Sequence, residues 1–550
     1  MTEVIYGMSM WRENTMNHAK IRSTMRKTAQ YMCLVIGILS VLLVLYYIIF
    51  IGKGHYHSDC TDTILWAQAS LDGNELVNSD FSYAGIMPLG GNIIMLPFVA
   101  AYGVGLKAQI LGMVVFAFIF IGSIVFMAKS MKIENEWITV MIAVVLFTTC
   151  SSGKFREIFW EHIIYYSLGI LFLMIGLGSV LRCIRRKYTV GNLKNALLWY
   201  NFLFLFVIIS SINGMQMLTM CEIPLLAAVA AERFFDFKTP LINSRYIKNY
   251  LTMIVIMIGT AIGLVFGKLV IHGVKARYAQ AYSSFSDKNE WVGNFFEFFP
   301  KFFSLIGVDT KTSMIMYSYD GIIHLLRIIF AFILIIVPFM MLMLYKKFDD
   351  ISYRLMILCH HFMAVFIMIG WTFGKLNSAE WRLSPIAVSS AIMCVLFMRW
   401  LVKNSDYKRL AAIVAIPVVC MAVIVTRDIS IVESQTDENK ELDKLEKCLE
   451  DNNLEYGYAS FWQANIITLI SNSKVKSRVI NIDEFGFEKR MYQTNKNWYE
   501  NVNGYDKYFV ILAEGEYEVY NNYQLNYEKP QEMIECGKFK ILIYDKNIFR

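Results

Sequence analysis

Met32-Cys-Leu-Val-Ile-Gly-Ile-Leu-Ser-Val-Leu-Leu-Val-Leu-Tyr-Tyr-Ile-Ile-Phe-Ile51 carries no charge, and it runs directly into Gly52-Lys-Gly-His-Tyr-His-Ser-Asp-Cys-Thr-Asp62. An uninterrupted apolar block of about twenty residues is what a helix needs to cross the hydrocarbon core of a bilayer. The basic residues before it, Lys20, Arg22, Arg26 and Lys27, resemble the n-region of a signal peptide. The block is nevertheless too long for one and is followed by no small-residue cleavage site, so it reads as a retained first span.

Moving outward, similar blocks recur along the 550 residues, of which 56% are hydrophobic and 18% charged. A single soluble core does not produce that pattern. About eleven spans are expected: Met32–Ile51, Lys107–Met127, Trp137–Cys150, His162–Leu181, Ala196–Ile212, Met217–Ala231, Tyr250–Ile271, Ile323–Leu344, Leu355–Phe373, Leu383–Met398 and Leu410–Thr426. The third and sixth are short. Alternating sides, the segments ending in Tyr31, Glu136, Asn195, Asn249, Arg354 and Arg409 hold about 23 Lys and Arg against about 12 on the other side. That bias places residues 1–31 in the cytoplasm of a multi-pass plasma-membrane protein, and an odd number of spans puts the C-terminus outside. The net charge of +7 is spread over short loops rather than gathered in a patch, so no nucleic-acid partner is expected and the lipid bilayer is the surface it meets. Most of the ten cysteines fall inside apolar blocks and no CxxC spacing appears, so neither a metal site nor a disulfide framework is expected.

The expected architecture is a polytopic α-helical membrane protein with a membrane module over 32–426, two large outer loops at 52–106 and 272–321, and a small extracytoplasmic α/β domain over 427–550. Within the first loop, Gly90–Gly105 is apolar but broken by Pro97 and glycines, which suits an interfacial or re-entrant segment. The second carries Trp291, Phe295, Phe296, Phe298, Phe299, Phe302 and Phe303, a density suited to a helix in the headgroup layer, although rings packing under the loop would give the same pattern. Beyond Arg427 the composition turns polar. A helix over Glu438–Leu449, strands at Tyr456–Ser460, Arg478–Ile482, Tyr508–Leu512 and Phe539–Tyr544, and a helix over Trp462–Ser471 alternate as in an α/β unit.

Ion and proton transporters place ionisable groups near span centres, and here those centres are almost uncharged. The charges collect instead at outer ends: Asp59, Asp62 and Asp80; Lys154, Arg156, Glu157, Glu161 and His162; Glu222; and Lys375, Glu380 and Arg382. This arrangement fits an enzyme working at the outer face, or simply loops that meet water. Asp59 and Asp62, three residues apart, share one face of a helical turn, so each raises the other's pKa and one can serve as a general base. Two carboxylates also leave room for a divalent cation, though alone they make a weak metal signal, and no cofactor is certain. Asp at a helix start also caps it. Arg382, in Ala379-Glu-Trp-Arg-Leu-Ser-Pro385, can hold a phosphate with its planar fork or anchor the interface beside Trp381.

This pattern resembles the GT-C superfamily of integral membrane glycosyltransferases, which take sugars from polyprenyl-phosphate donors. Asp59 and Asp62 match the acidic catalytic position that family carries in its first outer loop. Glu380-Trp-Arg-Leu-Ser-Pro385 is similar to its late-span arginine near the donor phosphate, with Leu383 where an aromatic is common. Ser79-Asp-Phe-Ser-Tyr-Ala-Gly-Ile-Met-Pro-Leu-Gly-Gly91 and Tyr456-Gly-Tyr-Ala-Ser-Phe-Trp-Gln-Ala-Asn465 resemble segments of bacterial relatives. The resemblance implies transfer of a sugar from a polyprenyl-phosphate-linked donor to an unknown envelope acceptor, with Asp62 as base and Asp59 as its partner. Arg382, Arg156, His162, Glu222 and Asp80 are the candidate substrate contacts. The alternative is a catalytically silent membrane protein that binds a partner or envelope polymer through its outer domain.

Overall fold

The computed structural model describes residues 27–549, apart from 29, 86, 186–192, 236–242, 244–245, 275–283, 310–312, 405–406, 501 and 503. The segment expected in the cytoplasm therefore lies, up to residue 26, outside the described residues. Along the chain, α1 (Gln30–Gly54) is followed in the first loop by α2 (Asp62–Gly73), the two-residue strand β1 (Phe81–Ser82) and α3 (Gly91–Tyr102). Then come α4 (Leu106–Ser130), the pair α5 (Asn135–Thr149) and α6 (Gly153–Glu161), and α7 (Tyr165–Arg185), α8 (Lys194–Ile212), α9 (Met215–Phe234) and α10 (Ile247–Val270). The aromatic α11 (Trp291–Leu305) precedes α12 (Tyr319–Met343), α13 (Ile351–Thr372), α14 (Glu380–Lys403) and α15 (Arg409–Ile431). Among the described residues ten helices are long and apolar enough to cross a bilayer, and α5 with α6, bent by 115° at their junction, makes an eleventh candidate. The expected third span thus falls in a sharply bent pair, the geometry of a broken span or of a re-entrant loop. At twelve residues and a rise of about 1.5 Å each, α3 is too short to cross, which matches the interfacial expectation for 90–105.

Packing follows from side-chain size. Along α10, Gly259, Gly263 and Gly267 recur every four residues, and a methyl group added at Gly263 would come within 2.5 Å of the Ile208 carbonyl of α8. Small residues let two helices approach closely in lipid, where apolar burial gives no selective pull. The most enclosed helix is α14, buried almost continuously from Ser384 to Met398. Large apolar side chains on α1, α10, α12 and α15, among them Leu39, Phe266, Phe339 and Val423, point outward as a lipid-facing rim. At the end of the bundle away from the C-terminal domain, Arg185–Asp350, Arg354–Glu232 and Arg399–Glu134 pair at 2.5, 2.7 and 2.6 Å.

The C-terminal part holds α16 (Asp437–Asp451), β2 (Tyr456–Ala459), α17 (Phe461–Ile470), β3 (Lys476–Asp483), β4 (Gly486–Lys489), β5 (Thr494–Asn495), β6 (Tyr508–Leu512), α18 (Glu514–Asn522), β7 (Glu532–Cys536) and β8 (Phe539–Tyr544). Six strands form one sheet in the order β4-β3-β2-β6-β8-β7, with β2 parallel to both β3 and β6 and the outer pairs antiparallel. Parallel neighbours need a crossover, and α17 supplies it between β2 and β3. Strands β2 and β6 are buried throughout, as central parallel strands are. One expectation fails here: Cys448 on α16 is disulfide-bonded to Cys536 at the end of β7. A pair 88 residues apart leaves no spacing signature, which is why it was invisible in the sequence.

The sheet domain is sewn to the first loop. Strand β1 pairs antiparallel with β5, Phe81 opposite Asn495 and Ser82 opposite Thr494. Nearby, Ser58 Oγ donates to the Phe461 carbonyl at 2.6 Å, and Asn439 Nδ2 to the Tyr56 carbonyl at 3.1 Å. The Thr436 N–H donates to the Gly54 carbonyl at 3.0 Å, and Ser473 Oγ to the Val104 carbonyl at 2.7 Å.

Candidate functional site

At the end of α1 the helix widens into a π turn over Tyr47–Ile51, and the chain then passes through a 3₁₀ turn, Ser58–Thr61, before α2 begins at Asp62. Asp59 lies in that turn and Asp62 opens the helix. Neither helix start carries a side-chain cap, so the capping role that Asp would ordinarily fill is not made here. Asp59 keeps 42% of its side chain exposed. Asp62 is half-buried, and its Oδ1 is fully buried with no hydrogen-bond partner. Burial, and after it the Asp59 charge, hold the Asp62 carboxyl well above the usual carboxylate range, while Gln493 and His57 pull the other way.

A network of ionisable groups closes around this pair. His57 Nε2 lies 3.4 Å from Glu157, and its Nδ1 lies 3.9 Å from Asp59. The Cys60 sulfur, and with it the Glu157 carboxylate, hold the His57 imidazole well above its ordinary value. Glu157 also pairs with Lys154 at 2.5 Å, and Lys154 sits 4.7 Å over the Trp381 ring. His162 Nδ1 meets the Asp59 carbonyl at 3.2 Å, and its other nitrogen is buried without a partner. Below them, Tyr47 donates to Glu161 at 2.5 Å, and Gln109 Nε2 donates to the carbonyls of Cys60 and Glu161 at 3.0 and 2.8 Å. Arg156 donates to the Cys150 carbonyl, lies 5.4 Å over the Tyr47 ring and keeps Nε buried without a partner. Arg327 on α12 lies near enough to feel Arg156 and Arg427, and it pairs with Asp428.

Asp59, Asp62, Arg156 and His162 are therefore brought together, whereas three other sequence candidates are not part of the cluster as expected. Asp80 is bound by Lys496 at 2.6 Å and by Asn497 at 3.3 Å, a strap between the first loop and the sheet domain. Glu222 lies inside the bundle, where it accepts from Ser210. Arg382 is buried, and its Nη1 donates to the Lys375 carbonyl at 2.7 Å and to Ser378 Oγ at 2.9 Å, so that it braces its own loop. Sequence reasoning missed Tyr47, Gln109 and Gln493. Tyr47 and Gln109 sit inside apolar helices where a polar tip gives little signal. Gln493 comes from the distant sheet domain. Asp59 and Asp62 alone make a poor cation site, and among the described residues no group of three or more His, Cys, Asp or Glu side chains could hold a metal ion.

No family model matches the chain, and no curated protein does. Among solved structures, ArnT from Cupriavidus metallidurans superposes with a TM-score of 0.50 at 8% identity, covering 93% of this chain and 97% of that one, both in the apo state and bound to undecaprenyl phosphate. The two chains share one fold over almost their whole lengths. The oligosaccharyltransferase of Archaeoglobus fulgidus, tethered with an acceptor peptide, matches with a TM-score of 0.42 at 9% identity over 85% of this chain. The chain spans 64% of that protein's length. In this chain the carboxylate pair lies immediately beyond the first membrane helix, on the face of the bundle that bears the sheet domain.

Proposed function

We propose that this GT-C protein transfers a sugar from a polyprenyl-phosphate carrier to a hydroxyl of an envelope acceptor at the outer face of the plasma membrane. The observation that carries the reading is Asp62, a carboxyl on the first loop raised by burial and by Asp59, with His162 seated against the Asp59 carbonyl beside it. A hydroxyl is a poor nucleophile until a base takes its proton, and a carboxylate of raised pKa is a stronger base than an ordinary one. Asp62 takes the acceptor proton, the acceptor oxygen bonds to the anomeric carbon, and the bond from that carbon to the phosphate oxygen breaks. The polyprenyl phosphate leaves with one more negative charge, which Arg156 and Arg327 stabilise. Arg382 acts on the loop that carries Trp381 rather than on the phosphate. ArnT, seen with undecaprenyl phosphate bound, supports a lipid-phosphate ligand for the shared fold.

In this reading residues 32–426 form the membrane module and 427–550 the extracytoplasmic domain. The Cys448–Cys536 bond supports that side, because disulfides persist in oxidising compartments. The test uses the purified full chain in lipid nanodiscs, with undecaprenyl phosphate as the binding probe and undecaprenyl-phosphate-linked hexoses and pentoses as trial donors. Binding with turnover that Asp62→Asn abolishes is the expected result. Binding of an envelope polymer with neither lipid binding nor turnover would favour the silent scaffold.

A further inference from the structure

Gln493 is the point at which the sheet domain reaches the first-loop carboxylates. It is completely buried, and its backbone has φ +51, a left-handed conformation that residues other than glycine seldom adopt. Three bonds fix it there. Its N–H donates to the Ser82 carbonyl at 2.7 Å and its carbonyl accepts from Asn465 at 3.4 Å, while Oε1 accepts from the Trp66 indole at 2.8 Å. An indole only donates, so Oε1 must face Trp66 and Nε2 must face the other way. On that other side is Asp62, with which the carboxamide interacts. Nε2 of Gln493 and Oδ1 of Asp62 are both buried, one a donor and the other an acceptor, and each is left without a hydrogen-bond partner by every other described group.

Asp62 and Trp66 are four residues apart on α2 and so share one face of the helix. One offers an acceptor and the other a donor, a pair complementary to the two ends of a single carboxamide. We propose that Gln493 is a positioning residue for Asp62: it reads this turn of α2, holds Oδ1 with Nε2, and leaves Oδ2 as the oxygen that meets the acceptor hydroxyl. The base is then set only when the sheet domain is docked on the first loop. The proposal rests on the reading of Asp62 as the base, and it goes beyond that reading by making the last domain part of the catalytic geometry.

A donor N–H favours the charged form of a carboxylate, so its loss must raise the pH at which Asp62 gives up its proton. The protonation of Asp62 can be followed without turnover, by labelling the full chain in nanodiscs with a water-soluble carbodiimide and glycine methyl ester across pH and reading the modified peptide by mass spectrometry. Only the protonated carboxyl reacts. Gln493→Leu should keep Asp62 reactive to higher pH than in the parent. Gln493→Glu, which can still accept from Trp66 but adds a second carboxylate, should extend it further. With a donor that turns over, Gln493→Leu should lower kcat by about tenfold to a hundredfold, the scale of a misplaced catalytic group, with the KM for donor unchanged. Should Gln493→Leu fail to fold, Trp66→Phe releases the carboxamide while keeping the ring, and it should shift the labelling in the same direction. Unchanged labelling and kcat in both Gln493→Leu and Trp66→Phe, with Asp62→Asn inactive, would overturn the positioning role and leave the base standing. Retained transfer in Asp62→Asn would instead remove the base itself.

Discussion

The base proposed at Asp62 is a carboxyl whose burial costs stability once it is charged. A carboxyl whose pKa is raised by folding adds most to stability below its unfolded pKa of about 4, and that contribution is lost as pH rises through the folded value. Asp62→Asn should therefore melt at a higher temperature than the parent at pH 7 to 8 and at nearly the same temperature near pH 4, measured by scanning fluorimetry in detergent. Transfer should fall by roughly a hundredfold to ten-thousandfold in the same variant, since it removes the general base. Asp59→Asn takes away a charge that raises Asp62. Its effect on the acid limb of the pH–rate profile should accordingly be a shift to lower pH, with activity kept. Total loss of transfer on Asp59→Asn would mean that Asp59 itself meets substrate. Both aspartates were legible in the sequence because they follow the first span so closely. Gln493 was not: its role depends on a left-handed backbone and a partner 427 residues away, and no local pattern encodes either.

Among the elements, the helices that depart from ideal geometry are those that carry the polar network. The π turns Tyr47–Ile51 and Glu157–Glu161 meet through the Tyr47–Glu161 hydrogen bond, and a third, Leu218–Glu222, ends in the buried carboxyl of Glu222. Such bulges leave local backbone groups out of the regular ladder and re-aim side chains. Apolar periodicity says where a span lies but not where it widens or folds back, so the bend between α5 and α6 was not legible, with only Ser152 and Gly153 to mark it. Ser152 caps the second piece by accepting from the Phe155 N–H at 3.0 Å. The aromatic helix was legible, and α11 turns Val292 and Phe296 outward while Asn294 faces the bundle. Asn294 donates to the Thr372 carbonyl at 3.2 Å, and its own carbonyl accepts from the Trp371 indole at 2.8 Å. Asn294→Leu should loosen this seat by about 1 kcal/mol, the net worth of a typical buried hydrogen bond, and hydrogen exchange should show faster exchange over α11 than in the parent. Unaltered exchange there would show that the phenyl rings alone seat the helix.

For the whole molecule, orientation is the property with the widest consequences, and two unrelated observations support the same answer. Charge asymmetry favours the sheet domain outside, and so does a disulfide in that domain set against eight free cysteines elsewhere among the described residues. In intact cells an impermeant maleimide should label Cys448 and Cys536 only after an impermeant reductant is added, and a reporter fused after Arg550 should behave as exported. Labelling that requires permeabilised cells would invert the topology. The spans and the central strands were legible because each is a continuous apolar run. The seam between domain and first loop was not, since β1 and β5 are two residues each and mean nothing apart. That seam has a consequence for biosynthesis. The first loop leaves the ribosome well before β5, the strand that pairs with it across the whole membrane module. A nascent protein can insert every described membrane helix and still display an unpaired carboxylate loop until the sheet domain has docked. A copy that stops before β5 therefore enters the membrane with the Asp59–Asp62 loop unpaired, which sets membrane insertion apart from completion of the loop.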